Sequence, residues 1–143
     1  MNATIEKFGY PATLVRDYAH WVVLLRPAQP TLGALVLAAK ADATAFADLP
    51  AEAFAELATI VAAIETRLSA AVAYEKINYL MLMLVDPHVH FHVIPRYAGT
   101  RSACGVTVAD AGWGKPPALG EAYALPEAER DALVAWLKDG WPG

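Results

Sequence analysis

His88-Val89-His90-Phe91-His92-Val93-Ile94 is a strict alternation of imidazole and apolar side chains, and it holds three of the four histidines of the chain. Successive side chains of a β-strand point to opposite faces. The spacing therefore predicts that His88, His90 and His92 share one face of a strand, while the apolar residues between them face the core. The histidine face is left to meet solvent, a ligand or a metal ion.

Three interpretations of this histidine row remain open. A polar strand face explains one imidazole better than three in alternation. Zinc needs each nitrogen within about 2.1 Å, whereas His88 and His92 are about 13 Å apart along a strand, so two of the three histidines could bind zinc only with ligands from elsewhere. The third interpretation is an extended anion: a neutral imidazole attacks phosphorus, and protonated neighbours donate to the phosphoryl oxygens and the leaving group. We favour the anion, which requires neither a metal nor a cofactor.

The flanking sequence predicts an α+β protein with antiparallel strands, because the links between strands are too short for helical crossovers. Asp48 and Pro50 mark the start of a long helix whose apolar stripe recurs every three or four residues. We expect residues 98–125 to form a long loop. The predicted strands lie within 12–37 and 76–97, the helical stripe is Phe54, Leu57, Val61, Ile64, Leu68 and Val72, and a last helix runs from about Pro126 to Gly140 with Ala128, Leu133 and Leu137 on its apolar side.

Length and composition limit the class of protein. The 143 residues predict one domain, 1–143, and a net charge of −4 with 57% hydrophobic residues argues against a nucleic-acid polymer as partner. No apolar run approaches the roughly 20 residues of a membrane helix, and Met1–Lys7 lacks the apolar core of a signal peptide. The only cysteine is Cys104, which is typical of a reducing compartment. We expect a cytoplasmic protein that does not bind membranes.

The alternating stretch and the following Pro95-Arg96 resemble the motif of the histidine triad (HIT) family. The similarity extends over about residues 12–97, including the turn at Gly33, Lys40 and Asn78. The segment from Ile77 to Pro87 resembles a bacterial and fungal subgroup of HIT proteins, and the tail after residue 98 looks specific to a subgroup with an extended C-terminal segment.

The resemblance implies a HIT-like fold, with about five antiparallel strands, a long helix and an additional C-terminal helix, and it implies a homodimer. It also implies a nucleotide hydrolase or transferase that acts at an α-phosphate, on a dinucleoside polyphosphate or a nucleoside phosphoramidate. His90 would be the nucleophile that forms a nucleotidyl-histidine intermediate. His92 would contact the phosphate and the leaving group, His88 would orient the site or polarise the phosphate, and Asn78 would contact the phosphate region.

Several residues depart from the family pattern. Ala34 and Asp42 stand where many members carry histidines, Leu24-Leu25 replace a polar residue that contacts the ribose, and Val85-Asp86-Pro87 replace a glycine-rich loop. The catalytic core therefore matches the family, while the residues that select the substrate do not. This leaves open a nucleotide-binding module with weak or no turnover, and a metal-dependent hydrolase remains a third hypothesis.

Three further residues have alternative roles. Arg96 could bind a phosphate through its planar guanidinium or pair with a carboxylate. Asp86 could anchor His88 or shape the turn with Pro87. Trp113 could cover a site, contact a second subunit or anchor the loop, and the sequence does not say what residues 105–123 cover.

Overall fold

A five-stranded antiparallel sheet, in the order β1-β2-β4-β6-β5, forms the centre of the protein in a computed structural model that describes all 143 residues. Two short two-stranded sheets, β3-β9 and β7-β8, accompany it. The predicted fold class is confirmed. The elements are α1 (Ala3–Lys7), β1 (Leu14–Asp17), β2 (Trp21–Leu25), β3 (Ala28–Gln29), β4 (Leu35–Ala39), α2 (Ala51–Val72), β5 (Lys76–Leu80), β6 (His90–Arg96), β7 (Thr100–Ala103), β8 (Val106–Ala109), β9 (Tyr123–Ala124) and α3 (Glu127–Lys138).

The larger core lies between one face of the main sheet and α2. Val93 of β6 pairs with Leu35 of β4 on one side and with Tyr79 of β5 on the other, so these residues share a face. Helix α2 covers that face with Ile60, Ile64 and Leu68, all fully buried. Burial of such side chains stabilises the fold by about 1.5–3 kcal/mol each.

The opposite face carries the histidines and is covered by the N-terminal helix α1. Ile5 of α1 is fully buried against the apolar residues on this face of β2 and β4. Asn2 begins the helix: its Oδ1 accepts a hydrogen bond from Ile5 N at 3.0 Å, and its Nδ2 donates to Ala39 O at 2.9 Å. The sequence analysis assigned no role to this segment.

Gln29 organises the link between β2 and β4. Its Nε2 donates to the carbonyls of Arg26 and Ala34, and its Oε1 accepts from Gly33 N, all within 2.9 Å. Gly33 has a φ of 92°, and a β-carbon there would meet Leu68 Cδ2 at 3.3 Å. The turn therefore needs glycine both for its backbone conformation and for close packing on α2.

Residues 98–125 are more regular than the predicted loop. They contain the hairpin of β7 and β8, a single 3₁₀ turn at Leu119–Glu121, and β9 paired with β3. Cys104 and Gly105 both have positive φ angles at the hairpin turn, as a tight two-residue turn requires. Val106 and Val108 of β8 are buried in the same core cluster as α2 and α3, which explains the residue alternation of this strand.

Three smaller expectations were wrong. The apolar run after Ile77 is a strand only as far as Leu80. In α2, Phe54 is 39% exposed, while Ala53 and Ile60 lie in the core, so the buried stripe is turned slightly from the predicted one. Ala128 of α3 is exposed, whereas Leu133, Val134 and Leu137 are buried.

Helix α3 packs beside α2 and is held at its C-terminal end by Arg67. The Arg67 guanidinium donates to the carbonyls of Trp136 at 2.7 Å and Leu137 at 3.1 Å. A cation at this position satisfies carbonyls that have no partner within the helix and complements the helix dipole. None of the helices combines the length and the apolar character needed to cross a membrane.

Tyr97 ties the hairpin to the β2–β4 link, and its loss should destabilise the protein. Its buried hydroxyl accepts from Leu32 N at 2.7 Å and donates to Val108 O at 2.8 Å. Tyr97→Phe removes both hydrogen bonds and takes from the buried Leu32 N–H its acceptor, which we expect to lower the free energy of unfolding by about 1–3 kcal/mol in urea denaturation. Tyr123→Phe, which removes an exposed hydroxyl, is the control. Equal stability of the two variants would contradict the prediction.

Candidate active site

His90 lies at the start of β6 with one ring nitrogen held by the backbone. Its Nδ1 is 2.7 Å from the carbonyl oxygen of His88. Because a carbonyl oxygen only accepts, Nδ1 carries the proton. In the neutral ring the lone pair is therefore on Nε2, the nitrogen available for nucleophilic attack. The side chain is only 1% exposed, so its ring has a fixed orientation.

His92 lies two residues further along β6, on the same face as His90. The ring centroids of the two histidines are 5.1 Å apart. Arg26 Nε donates to His92 Nδ1 at 3.3 Å. Since Nδ1 accepts this hydrogen bond, the proton of His92 is on Nε2, which can donate to an oxygen atom of a ligand.

The surroundings of His92 disfavour its protonated form. Burial is the largest cause, followed by the positive charge of Arg26 and by His90, and together they lower the pKa of His92 from 6.5 to about 4, with Asp86 acting in the opposite direction. His92 is therefore neutral at pH 7. This differs from the mixed protonation that we expected of the histidine row, and it makes His92 a hydrogen-bond donor rather than an acid.

His88 lies just before the strand that carries the other two histidines, with its ring on the side of α1, the same side of the sheet as His90 and His92. Strand β6 begins at His90, and His88 lies in the bend before it. Its ring Nδ1 is 2.8 Å from Thr4 Oγ1 of α1, which also accepts a hydrogen bond from His88 N at 3.3 Å. His88 therefore orients His90 through its carbonyl oxygen, while its own ring is oriented by α1.

A cleft of about 330 Å³ opens over the two strand histidines. Phe8 forms one wall, with its ring centroid 5.5 Å from that of His90 and 5.7 Å from that of His92. Lys7 and Asp86 form an ion pair of 2.7 Å at the rim, so Asp86 anchors α1 rather than His88. The opposite wall is apolar and comes from the segment before the histidines: Leu82, Met83, Leu84 and Val85.

Asn78 and Arg96 are brought together, but not in this cleft. Arg96 is the last residue of β6, four residues beyond His92 and therefore about 13 Å along the strand. Its Nη1 donates to Asn78 Oδ1 at 2.8 Å, and its Nε and Nη2 bind the Asp110 carboxylate at 2.7 and 3.1 Å. Arg96 thus has the carboxylate partner that was one of its two expected roles. Asn78 and Arg96 line a separate cavity.

The sequence analysis missed Arg26, Thr4 and Phe8. For Arg26 a signal existed: Leu24 of β2 shares the histidine face, because it pairs with Val36 of β4, which pairs with His92. Counting two residues on from Leu24 brings Arg26 to that same face. No local pattern points to Thr4 or Phe8, since their contacts depend on how α1 folds back over the sheet.

The positions that depart from the family pattern lie outside the cleft or at its rim. Ala34 is fully buried, and Asp42 is exposed. Leu84 and Val85 are 86% and 80% exposed, so this short segment presents apolar side chains at the rim. The side chains of His, Cys, Asp and Glu do not form any group of three or more that could hold a metal ion.

This combination of an α+β sheet and paired strand histidines agrees with comparisons to known proteins. The model of the HIT domain matches residues 11–99. A histidine triad (HIT) protein from Sinorhizobium meliloti 1021 is 23% identical, with a TM-score of 0.75 over 97% of this chain and 94% of the other. Histidine triad protein blr8122 from Bradyrhizobium japonicum is 18% identical, with a TM-score of 0.72 over 99% and 97%. A search of curated proteins gave no match.

The family match covers more than half of the chain and includes β1 to β6. The chain therefore belongs to the HIT family. The two solved structures share its fold over nearly their whole lengths, which includes the C-terminal segment beyond residue 99.

Arg26 should control the protonation of His92. In Arg26→Met the positive charge is lost while the burial of His92 remains, so we expect the pKa of His92 to rise from about 4 toward, but not to, 6.5. Histidine ring signals followed by NMR over pH 3–8 measure this shift. The control is Arg16→Met, at an arginine of β1 that donates to the carbonyl oxygen of the C-terminal residue Gly143. An unchanged His92 pKa in Arg26→Met would contradict the conclusion that the charge of Arg26 lowers this pKa.

The same shift predicts the pH dependence of stability. Between pH 6.5 and about 4 the unfolded chain binds a proton at His92 that the folded chain does not. The contribution of His92 therefore lowers the free energy of unfolding as the pH falls through this window. In urea denaturation over this pH window, the free energy of unfolding should fall less steeply with decreasing pH in His92→Gln than in the unmodified protein. Equal pH dependence in the two proteins would contradict the predicted contribution of His92.

Proposed function

We propose that this protein is a nucleotide hydrolase or transferase that acts at an α-phosphate through a nucleotidyl-histidine intermediate on His90. The observation that carries the proposal is the hydrogen bond of 2.7 Å between His90 Nδ1 and His88 O. In the neutral ring this bond leaves the lone pair on Nε2 of a buried, oriented imidazole. Dinucleoside polyphosphates and nucleoside phosphoramidates are the substrate types we favour.

The reaction has two displacements at one phosphorus atom. His90 Nε2 forms a bond to phosphorus, and the bond from phosphorus to the leaving oxygen or nitrogen breaks, with its electron pair going to the leaving group. Water then attacks phosphorus, the phosphorus–nitrogen bond breaks, and His90 is released with a proton lost to solvent. Such covalent catalysis divides one difficult step into two easier ones. His92 Nε2–H stabilises the charge that develops on a phosphoryl oxygen.

The charges and surfaces of the cleft support a nucleotide as the ligand. Arg26 and Lys7 line it beside the two histidines and supply positive charge for a phosphate. Phe8 and the exposed Leu84 and Val85 supply apolar surface suited to a flat base. The cleft is at the small end of the range for ligand sites, roughly 300–1,000 Å³, which fits one nucleotide.

The test is to trap the intermediate. Incubating the protein with adenosine phosphoramidate, diadenosine tri- and tetraphosphate and adenylyl sulfate, then weighing the intact chain by mass spectrometry, should show a gain of one nucleotidyl group. His90→Ala should show no gain. The control is His20→Ala, which removes the one histidine outside the motif and should leave both adduct and product unchanged.

The alternative is a nucleotide-binding module, which the missing glycine-rich loop would favour. Titration calorimetry with AMP distinguishes the two functions. Tight binding, with no adduct and no product from any substrate, would replace the proposed enzyme with the module. Activity that depends on added zinc and is lost to a chelator would instead favour the metal-dependent hydrolase.

We also propose that the protein forms a homodimer through its β5 edge. Strand β5 has a neighbour on one side only, and an unpaired edge readily binds another strand. Beside it lies an entirely apolar groove formed by Leu37, Leu57, Val61, Tyr79 and Phe91. Phe46 and Phe54 extend this surface at 41% and 39% exposure. Contiguous apolar surface of this kind is typical of a subunit interface.

A charge placed in this groove should separate the subunits. We expect Leu57→Asp to shift the mass measured by light scattering from two chains to one, because a buried carboxylate without a partner strongly opposes association. Thr66→Asp, on the exposed side of α2 away from the groove, should leave the mass at two chains. A mass of one chain for the unmodified protein would refute the dimer.

A further inference from the structure

The largest cavity of the protein is not the histidine cleft. A second cavity of about 550 Å³ lies at the other end of β6 and is lined by Lys76, Asn78, Arg96 and the segment from Trp113 to Pro116. Its volume is within the range of roughly 300–1,000 Å³ that is typical of ligand sites. Leu119 lines the histidine cleft, and residues 113–116 line this second cavity. One C-terminal segment therefore borders both.

The lining carries an excess of positive charge in a protein whose net charge is −4. Lys76, Arg96 and Lys115 are cationic, and neither lysine belongs to any of the ion pairs of the protein. Arg96 is paired with Asp110, which is 7% exposed. Its two oxygens already accept from Arg96 Nε and Nη2 and from the backbone N–H groups of Tyr97 and Gly112.

The polar side-chain groups that remain free in this cavity are donors. Arg96 Nη1 donates to Asn78 Oδ1, so the Asn78 amide can donate to a ligand through its Nδ2 hydrogens. Lys76 and Lys115 offer ammonium groups, and Trp113 offers an indole N–H that has no partner within the protein. None of the side chains that line the cavity is a carboxylate. Such a set of donors is complementary to an anion.

Trp113 favours a ligand that contains a flat ring. It lines the cavity and is 38% exposed, unlike Trp21 and Trp141, which are buried and donate their indole N–H groups to Ala53 O and Tyr18 Oη. An exposed indole beside cationic groups can stack on an aromatic ring. Arg96 stays fixed behind it, because Gly112 has no side chain: a β-carbon there would lie 2.5 Å from Pro116 O and 3.3 Å from Arg96 Nη2.

We propose that this cavity is a second ligand site, which binds a polyanion attached to a flat ring, with a nucleoside diphosphate as the simplest example. Lys76, Lys115 and Asn78 hold the anionic group, and Trp113 stacks on the ring. Lys76 and Asn78 belong to β5 but face away from the apolar groove, so in the proposed dimer the site lies beside the subunit interface, on the opposite face of the sheet. The site does not require the chemistry at His90, because the two cavities have no lining residue in common.

NMR of the side-chain indole signals tests this site directly. ADP is the probe, and Trp113→Phe assigns the Trp113 signal. We expect ADP to shift that signal saturably while the signals of buried Trp21 and Trp141 stay in place, which also reports an intact fold. Pyrophosphate should bind more weakly than ADP because it lacks the ring, and adenosine should not bind because it lacks the charge.

Matched lysine variants test whether Lys76 and Lys115 bind the anionic group. Lys76→Ala/Lys115→Ala should weaken the ADP effect on Trp113 about tenfold or more, since it removes two charge-assisted hydrogen bonds. Lys138→Ala, at an exposed lysine of α3, should not change it. The proposal is overturned if ADP leaves Trp113 unmoved, if the double variant binds as well as the unmodified protein, or if adenosine binds equally.

This result is separable from the proposed function. The ring signals of His90 and His92 report on the histidine cleft in the same samples, and the mass measurement reports on the covalent step. A protein that binds ADP beside Trp113 but never forms an adduct retains the second site and loses the proposed chemistry. An adduct without any Trp113 response would support the proposed chemistry and overturn the second site.

Discussion

Strand β6 is covered on both faces, and this constraint determines where every functional group of the protein can lie. Phe91 and Val93 face the core under α2, while His90, His92 and Arg96 face the other way. A shift of one residue in the pairing of β6 with β4 would place the imidazoles in the apolar core. The cost of burying them without partners therefore fixes the register that also creates the two cavities.

Burial of the histidines is what makes them chemically useful. In the open, an imidazole near its ordinary pKa is partly protonated at neutral pH and rotates freely. Under Phe8 and α1, His90 is held by a backbone carbonyl and His92 is kept neutral by burial and by Arg26. In the proposed reaction, the nucleophile and the hydrogen-bond donor are thus already oriented before a ligand arrives, so less reorganisation is needed.

The sequence was sufficient for the sheet, for α2 and for the paired strand histidines, because their signals are local and periodic. It was insufficient where a residue acts through a partner far along the chain: Thr4 and His88 are 84 positions apart, and Arg26 and His92 are 66 apart. The β7–β8 hairpin was missed for another reason. The many glycines and alanines of residues 98–125 suggested a loop, although Val106 and Val108 alternate with exposed residues as a half-buried strand requires.

The N-terminal helix explains how an altered binding region can still surround the two strand histidines. Five residues are too few for a stable helix in isolation, so α1 depends on the hydrogen bonds of Asn2 and on burial of Ile5. Once held there, it supplies Thr4, Lys7 and Phe8 to the site. All of these residues precede residue 11, where the match to the HIT domain begins. In the functions proposed above, the ligand is therefore selected largely by segments that flank the shared HIT core, namely α1 on one side and the Trp113 segment on the other.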